Sequence, residues 1–200
     1  MKVICIGRNY SEHARELNNP VPTEPVFFLK PDTALLKDNE PFYLPDFSND
    51  VHYELELILR VSKAGKCIAP EFADKYIDQI SVGIDFTARD IQQKCKEKGL
   101  PWEKAKAFDG SAPIGKWVPF DPNTVYTFHL AVNDVQKQKG SSDEMIFSFR
   151  QIISYVSQFV TLKTGDIIYT GTPAGVGPVT IGDRLTAFLE DQCLLNFVIK

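Results

Sequence analysis

Residues 52–61 constrain the fold more than any other stretch of the chain. Apolar side chains occupy every second position from Tyr53 to Val61, and side chains of a β-strand alternate between its two faces. The pattern therefore predicts a strand with one face packed on a core. The other face carries Glu54 and Glu56, whose carboxylates would lie on the same side and repel each other. Either a bound metal ion balances their negative charges or this face is exposed to solvent. The strand alone does not distinguish these alternatives.

Size and charge limit the classes of protein that the chain can belong to. Its 200 residues suffice for one sizeable core, and no linker-like segment divides them, so we expect a single domain over residues 1–200. A net charge of −4 without a basic run argues against a nucleic-acid-binding surface. No apolar run approaches the roughly 18 residues of a membrane-spanning helix. The run at residues 2–7 is too short for a signal peptide, so we expect a cytoplasmic protein.

The cysteines are scattered and form no C-x-x-C pair. In a protein without a signal peptide, such residues are expected to be reduced thiols that behave as small buried hydrophobic residues. They are Cys5, Cys67, Cys95 and Cys193.

A short helix is predicted near the N-terminus. Ser11 can cap it, and Asn18, Asn19 and Pro20 would end it after about two turns. Within it, His13 and Glu16 are three residues apart and would share one face, where the carboxylate can accept a hydrogen bond from the imidazole. The alternative is an exposed pair without chemistry. A helix of this length is marginal without tertiary support, which makes it a candidate for a mobile lid.

The sequence predicts a buried strand over residues 80–86, followed by a helix over residues 88–98 that ends at Gly99. Thr87 and Asp90 form a variant of the capping box that opens such a helix. Asp85 would then lie at the end of the strand, just before the helix N-terminus, where an acidic residue is either a structural anchor or a ligand.

Three further segments contain polar or glycine-rich positions that could contribute to a site. Lys30, before Pro31, and Lys106, in a turn-rich loop over residues 101–115, are lysines of a kind that is usually solvated. Residues 170–177 contain three glycines, which let the backbone approach a ligand and offer N–H groups to an anion. This segment lacks the spacing of a phosphate-binding loop, and a hairpin turn is its structural alternative.

Each of these motifs is weak alone, but the ordered set is specific. It comprises Gly7–Tyr10 with His13 and Glu16, His52-x-Glu54-x-Glu56, Asp85–Asp90, Lys106 and Thr170–Gly177. The set resembles the fumarylacetoacetate hydrolase family along nearly the entire chain, in particular its short, single-domain branch of acylpyruvate hydrolases and oxaloacetate decarboxylases. The resemblance implies a mainly β protein with α/β elements, folded as a mixed β-sandwich or β-roll, and a homodimer.

The resemblance also implies a metal centre in which Glu54, Glu56 and Asp85 hold Mg²⁺ or Mn²⁺. A ligand set of oxygen atoms only suits Mg²⁺, Mn²⁺ or Ca²⁺, the last of which can occupy such a site in crystals, rather than zinc. Three protein ligands leave open positions at which a 2-oxo acid could bind.

By the same resemblance, His13 paired with Glu16 would act as general base on a water molecule that attacks an acylpyruvate. Lys106 would stabilise the enolate that develops as the carbon–carbon bond breaks. Thr172 would hold the substrate carboxylate, and Gln92 would reach the same pocket.

We therefore expect a metal-dependent hydrolase that cleaves a carbon–carbon bond in a small 2,4-diketo acid. The same scaffold hosts other reactions that pass through an enolate. Two alternatives accordingly stay open: an oxaloacetate decarboxylase or a 2-hydroxyhepta-2,4-diene-1,7-dioate isomerase, and a non-catalytic protein that binds an oxo acid or a metal.

Overall fold

The computed structural model describes residues 1–16 and 20–200. Its strands are, in chain order, β1 (Val3–Gly7), β2 (Val26–Lys30), β3 (Leu35–Leu36), β4 (Val51–Tyr53), β5 (Leu55–Val61), β6 (Ile77–Ile84), β7 (Thr87–Ala88), β8 (Ala112–Pro113), β9 (Val118–Pro119), β10 (Thr127–Val132), β11 (Val135–Ser141), β12 (Ile167–Tyr169), β13 (Gly177–Pro178), β14 (Arg184–Leu189) and β15 (Gln192–Val198). The α-helices are α1 (Ser11–Glu16), α2 (Arg89–Lys98), α3 (Glu103–Lys106) and α4 (Phe149–Phe159). Short 3₁₀ segments cover Asp32–Ala34, Pro70–Tyr76 and Ser142–Glu144.

Two larger sheets enclose the main core. The central sheet has the order β2-β1-β12-β5-β6-β9, and the second sheet has the order β11-β10-β14-β15. Strands β14 and β15 contact β6, and β10 contacts β5, so apolar residues of both sheets share one cluster. The mainly β architecture predicted for the chain is confirmed.

The strand predicted over residues 52–61 keeps the expected alternation but is not continuous. Leu57 and Leu59 of β5 point into the main core, whereas Ile58 on the other face packs in a second cluster with Tyr169. The predicted single strand is interrupted at Glu54. Before this residue, β4 belongs to a small sheet with β13 and β7; after it, β5 belongs to the central sheet.

The topology brings four chain segments to one end of the central sheet. Strands β1 and β12 are parallel, whereas β5 is antiparallel to both β12 and β6. The carboxyl ends of β1, β12 and β6 therefore lie beside the start of β5, where Leu55 is paired with Ile84. Consequently, the residues that follow β1, β12 and β6 meet the glutamates at the start of β5.

The predicted helices form, with different details at their ends. Helix α2 begins after Ala88 without a side-chain cap and ends at Gly99, which has the left-handed φ of 62°. The predicted capping box is thus wrong. Helix α4 is amphipathic and is capped by Ser148. Asn18 and Asn19, predicted to end α1, lie outside the described residues.

Two other expectations are corrected by the structure. The segment predicted as a turn-rich loop over residues 101–115 contains α3 and the short strand β8. Cys5 and Cys95 are buried free thiols as expected, but Cys67 and Cys193 are exposed. In the described part of the chain, no helix has the length and apolar character needed to cross a membrane.

Candidate functional site

Three buried carboxylates meet at the end of the central sheet. Glu54 lies at the interruption before β5, Glu56 in β5, and Asp85 directly after β6. Their side chains each offer one oxygen atom, and these oxygens lie within 4.8 Å of one another. All three residues are at most 5% exposed. Such a cluster requires positive charge nearby, because ionised carboxylates are costly to bury unpaired.

The negative charge of Glu54 is balanced mainly by basic side chains. Its Oε1 atom is 2.6 Å from Arg89 Nη2, and its Oε2 atom is 2.9 Å from Lys106 Nζ. The Thr87 hydroxyl, freed from the predicted capping role, donates to Oε1 at 2.9 Å. Although burial alone would raise the pKa of Glu54, the charges of Lys106 and Arg89 hold it well below its usual range.

Asp85 lies between two buried lysines. Lys106 Nζ is 2.8 Å from Oδ2 of Asp85, and Lys30 Nζ is 2.6 Å from Oδ1. Lys30 is also fixed by a 2.7 Å hydrogen bond to the carbonyl of Ser111. The expectation that Lys30 is solvated is therefore wrong: it is 2% exposed and belongs to the charged centre.

The negative charge of Glu56 is the least balanced of the three acids. In residues 1–16 and 20–200, the only hydrogen bond to its carboxylate comes from the amide of Gly171, at 2.6 Å. Burial, together with the negative charges of Asp85 and Glu54, raises the pKa of Glu56 well above its usual value. A cluster of oxygen ligands with one uncompensated member fits a hard divalent cation.

Lys106 links two of the acids and stays positively charged. Burial would lower the pKa of its ammonium group, but Asp85 and Glu54 raise it overall. Its position, at the end of α3, follows from the helix that replaces the predicted loop.

The His13 and Glu16 pair forms as predicted on α1. Nδ1 of His13 is 3.0 Å from Oε2 of Glu16, and His13 is 5% exposed. The other carboxylate oxygen of Glu16 accepts a hydrogen bond of 3.0 Å from the amide of Gly175. Helix α1 is thereby attached to the glycine-rich segment after β12, which closes one side of the site.

Thr172 and Gln92 are buried at the same place. The Thr172 hydroxyl accepts a 2.8 Å hydrogen bond from Gln138, whose own side-chain oxygen accepts from the amide of Leu55 at 2.9 Å. Gln138 therefore ties the glycine-rich segment to the start of β5. Gln92 accepts from Arg89 at 2.8 Å.

Every predicted site residue except Glu16 lines a single pocket. These residues are His13, Glu54, Glu56, Asp85, Gln92, Lys106 and Thr172. Residues that were not predicted from the sequence also line it, namely Ile6, Gly7, Arg8, Phe28, Arg89, Lys96 and Trp102. Arg89 lies within the Asp85–Asp90 motif, which could have indicated it. Lys30, which forms an ion pair with Asp85, lies in no sequence motif that could have indicated it.

Comparison with known proteins agrees with this geometry. A family model described as fumarylacetoacetate (FAA) hydrolase C-terminal matches residues 2–197. The chain is 41% identical over 202 residues to the mitochondrial oxaloacetate tautomerase FAHD1 of Bos taurus, covering 99% of this chain and 91% of the relative. It is also 41% identical over 203 residues to the oxaloacetate tautomerase YcgM of Escherichia coli (strain K12), covering 99% of this chain and 92% of the relative.

The structural similarity is equally extensive. The crystal structure of fumarylpyruvate hydrolase from Pseudomonas aeruginosa in complex with Mn²⁺ and pyruvate superposes with a TM-score of 0.93 and 36% sequence identity. The match covers 100% of this chain and 89% of that chain. Enzymes of more than one reaction class are therefore similar to this chain.

Proposed function

The chain belongs to the fumarylacetoacetate hydrolase family, and from this premise we propose that it is a divalent-metal-dependent enzyme that interconverts the keto and enol forms of oxaloacetate. The observation that carries the proposal is the similarity, along almost the full chain, to relatives named as oxaloacetate tautomerases. This choice favours the isomerase and decarboxylase alternative over carbon–carbon hydrolysis, which the sequence motifs led us to expect.

The three clustered carboxylates of Glu54, Glu56 and Asp85 would hold Mg²⁺ or Mn²⁺. When bound, the ion would act as a Lewis acid that polarises the keto group of the substrate. The presence of Mn²⁺ and pyruvate in a relative supports this assignment, as does the lack of compensation around Glu56.

Lys106 would stabilise the charge that develops on the substrate oxygen during enolisation. Its ammonium group is buried, positively charged and fixed by two carboxylates, so it needs little reorganisation when negative charge appears nearby. Thr172 and Gln92 would bind the carboxylate adjacent to the keto group.

His13 would transfer the proton. Tautomerisation breaks one C–H bond beside the keto group and forms one O–H bond, so a base must accept a proton at carbon and an acid must return one at oxygen. Because Nδ1 of His13 faces Glu16, Nε2 is the ring nitrogen available for this exchange. Glu16, tied to Gly175, would fix the ring in that orientation.

Carbon–carbon hydrolysis of an acylpyruvate is the second candidate. It is favoured by the same His13 and Glu16 pair, since an imidazole oriented by a carboxylate can also activate a water molecule. The similarity to a fumarylpyruvate hydrolase supports it as well. Both reactions use the metal and Lys106 in the same way, and they differ in whether water attacks the substrate.

A two-substrate assay tests the proposal. Purified protein with Mg²⁺ or Mn²⁺ is expected to accelerate the loss of the enol absorbance of oxaloacetate. The substitution His13→Ala should slow it by about 10²–10⁴-fold, the usual contribution of an acid–base group. Glu12→Ala, an exposed change on the same helix, is the control and should leave the rate nearly unchanged.

The same preparation is given acetylpyruvate, with loss of the 2,4-diketo absorbance and release of pyruvate as readouts. Metal-dependent cleavage of acetylpyruvate without acceleration of oxaloacetate tautomerisation would replace the proposed function by the second candidate. No turnover of either substrate with either metal would contradict both enzymatic candidates.

A further inference from the structure

The pocket extends beyond the carboxylate cluster along helix α2. Arg89, Gln92 and Lys96 all line it, and their spacing of three and four residues places them on one face of the helix. Arg89 contacts Glu54 at the inner end. Lys96 lies about 10 Å further along the helix axis, and long helical side chains lean back toward the N-terminus, here toward Arg89. The ammonium group of Lys96 is thus placed over the outer part of the pocket.

We propose that Lys96 and Arg8 bind the second carboxylate of a dicarboxylic substrate and select it over acylpyruvates whose acyl end is uncharged. The inference rests on the proposed function, in which the keto-acid end of the substrate lies at the carboxylate cluster. The second carboxylate then faces away from that cluster. It assigns a binding role to two residues that contact none of the three clustered acids.

The lysine and arginine residues in and behind the pocket divide into two sets. Lys30, Lys106 and Arg89 are paired with the acids of the cluster at distances of 2.6–2.9 Å. In the part of the chain that the structure describes, the side chains of Arg8 and Lys96 form no ion pair or hydrogen bond. Two cations gathered in a partly enclosed pocket raise the local positive potential and favour an anion between them.

The surroundings of Lys96 fit an anion site. Its Nζ atom lies 6.0 Å from the ring centroid of Trp102, and the residue is partly buried. Burial and the positive charges of Arg89 and Arg8 lower the pKa of Lys96. A carboxylate bound here would relieve the repulsion between these groups.

Arg8 is held at the pocket by a strained backbone. Its φ of 60° lies in the left-handed region, which is unfavourable for a residue with a side chain. The next residue, Asn9, enforces this geometry through hydrogen bonds to the carbonyl of Thr170 at 2.8 Å and to both backbone groups of Phe147 at 2.8 and 3.0 Å. Strain that the surrounding structure enforces is typical of ligand-binding positions.

The test compares a substrate that has the distal carboxylate with a ligand that lacks it. For the Mg²⁺-loaded protein, we would measure KM for oxaloacetate and the competitive inhibition constant Ki of pyruvate in the tautomerase assay. Lys96→Met is expected to raise KM for oxaloacetate about 10-fold or more, the usual loss for a hydrogen bond to a charged group. Because pyruvate has no distal carboxylate, its Ki should change less than about 2-fold. Arg8→Met should act in the same direction.

Two control variants separate charge from structure. Lys94→Met removes an exposed lysine from the same helix and should change neither constant. Lys96→Arg keeps the positive charge and should retain most of the affinity for oxaloacetate. If Lys96→Met weakens oxaloacetate and pyruvate equally, or leaves KM for oxaloacetate unchanged, the assignment is overturned.

A binding measurement distinguishes failure of this inference from failure of the proposed function. The rise in Tm of the Mg²⁺-loaded protein on addition of oxaloacetate or pyruvate reports affinity without turnover. If the wild type binds oxaloacetate but does not tautomerise it, and Lys96→Met selectively weakens that binding, the proposed function fails while the inference stands. If the wild type binds oxaloacetate no more tightly than pyruvate, the inference fails whatever the activity.

Discussion

Two glutamates separated by one residue have opposite electrostatic surroundings. Glu54 faces two basic side chains and a hydroxyl, and these partners lower its pKa despite burial. Glu56 faces two other acids and one backbone amide, and its pKa is raised. In the metal-free protein, the charge of Glu54 therefore stabilises the fold, while that of Glu56 opposes it.

Neutral substitutions at these two positions should consequently change stability in opposite directions. Without metal at neutral pH, Glu54→Gln leaves Lys106 and Arg89 undercompensated and should lower the free energy of unfolding by about 3–5 kcal/mol. Glu56→Gln removes an unfavourable buried charge and keeps an acceptor for Gly171, so it should raise that free energy by roughly 1 kcal/mol. Urea unfolding of the metal-free variants measures both. An equal loss of stability in the two variants would contradict the asymmetry.

At the scale of elements, the glycine-rich segment after β12 matters because its backbone enters the site. Gly171 has a φ of 104°, and its amide donates to Glu56. A Cβ atom added there would lie 2.6 Å from Cβ of Asn9, in the segment that orients Arg8. The segment is therefore more than the decorated hairpin turn that its sequence alone allowed.

Gly171→Ala should be much more harmful than a comparable change elsewhere. The φ value and the contact with Asn9 together should lower the free energy of unfolding by at least about 2–3 kcal/mol. Gly182 also has a positive φ, of 96°, but no atom lies within 4 Å of its added Cβ. Gly182→Ala should therefore cost only about 1 kcal/mol. Thermal unfolding and metal titration of both variants provide the comparison, and equal losses would mean that the contact with Asn9 is unimportant.

The sequence predicted those features that a single element determines. Alternation along residues 55–61 gave the core face of β5, and Gly99 marked the end of α2. It did not predict partners that come from distant segments. Thr87 has a typical capping position, but its hydroxyl group donates a hydrogen bond to Glu54, which lies 33 residues earlier in the chain.

Lys30 illustrates the same limit at the candidate site. Its neighbours in the sequence favour a solvated lysine, yet its ammonium group bonds to Ser111, 81 residues later. These residues are brought together by the pairing of β3, which begins five residues after Lys30, with β8, which begins directly after Ser111. The other site residues were identified through the ordered resemblance to a family, which supplied the long-range information that local patterns lack.

At the scale of the whole molecule, the resemblance leads us to propose a homodimer. Phe159 is 57% exposed and packs against Phe27 and Tyr155 with ring centroids 5.8 and 5.1 Å apart. This aromatic group includes a residue of the edge strand β2, a surface that association would cover. Light scattering after gel filtration should give twice the 22.5 kDa of one chain. A mass of 22.5 kDa at micromolar concentration would show a monomer.

The charged centre also makes the stability of the whole molecule depend on metal. The three acids are matched by Lys30, Lys106 and Arg89, so a divalent ion would give the site two positive charges, a balance that suits an oxaloacetate dianion. Since such an ion would bind the folded chain and not the unfolded one, Mg²⁺ or Mn²⁺ at a hundred times Kd should add about 2.7 kcal/mol to the free energy of unfolding.

For a chain of 200 residues, that gain corresponds to a rise in Tm of roughly 5–10 °C. The rise should be reversed by a chelator and should be much smaller in Glu56→Gln, whose neutral amide is a weaker ligand for a hard cation. Oxaloacetate should raise Tm further only when metal is present, because without the ion the charges of the acids and their basic partners cancel and no Lewis acid holds the keto group. Equal stabilisation by oxaloacetate with and without metal would place its binding away from the three carboxylates.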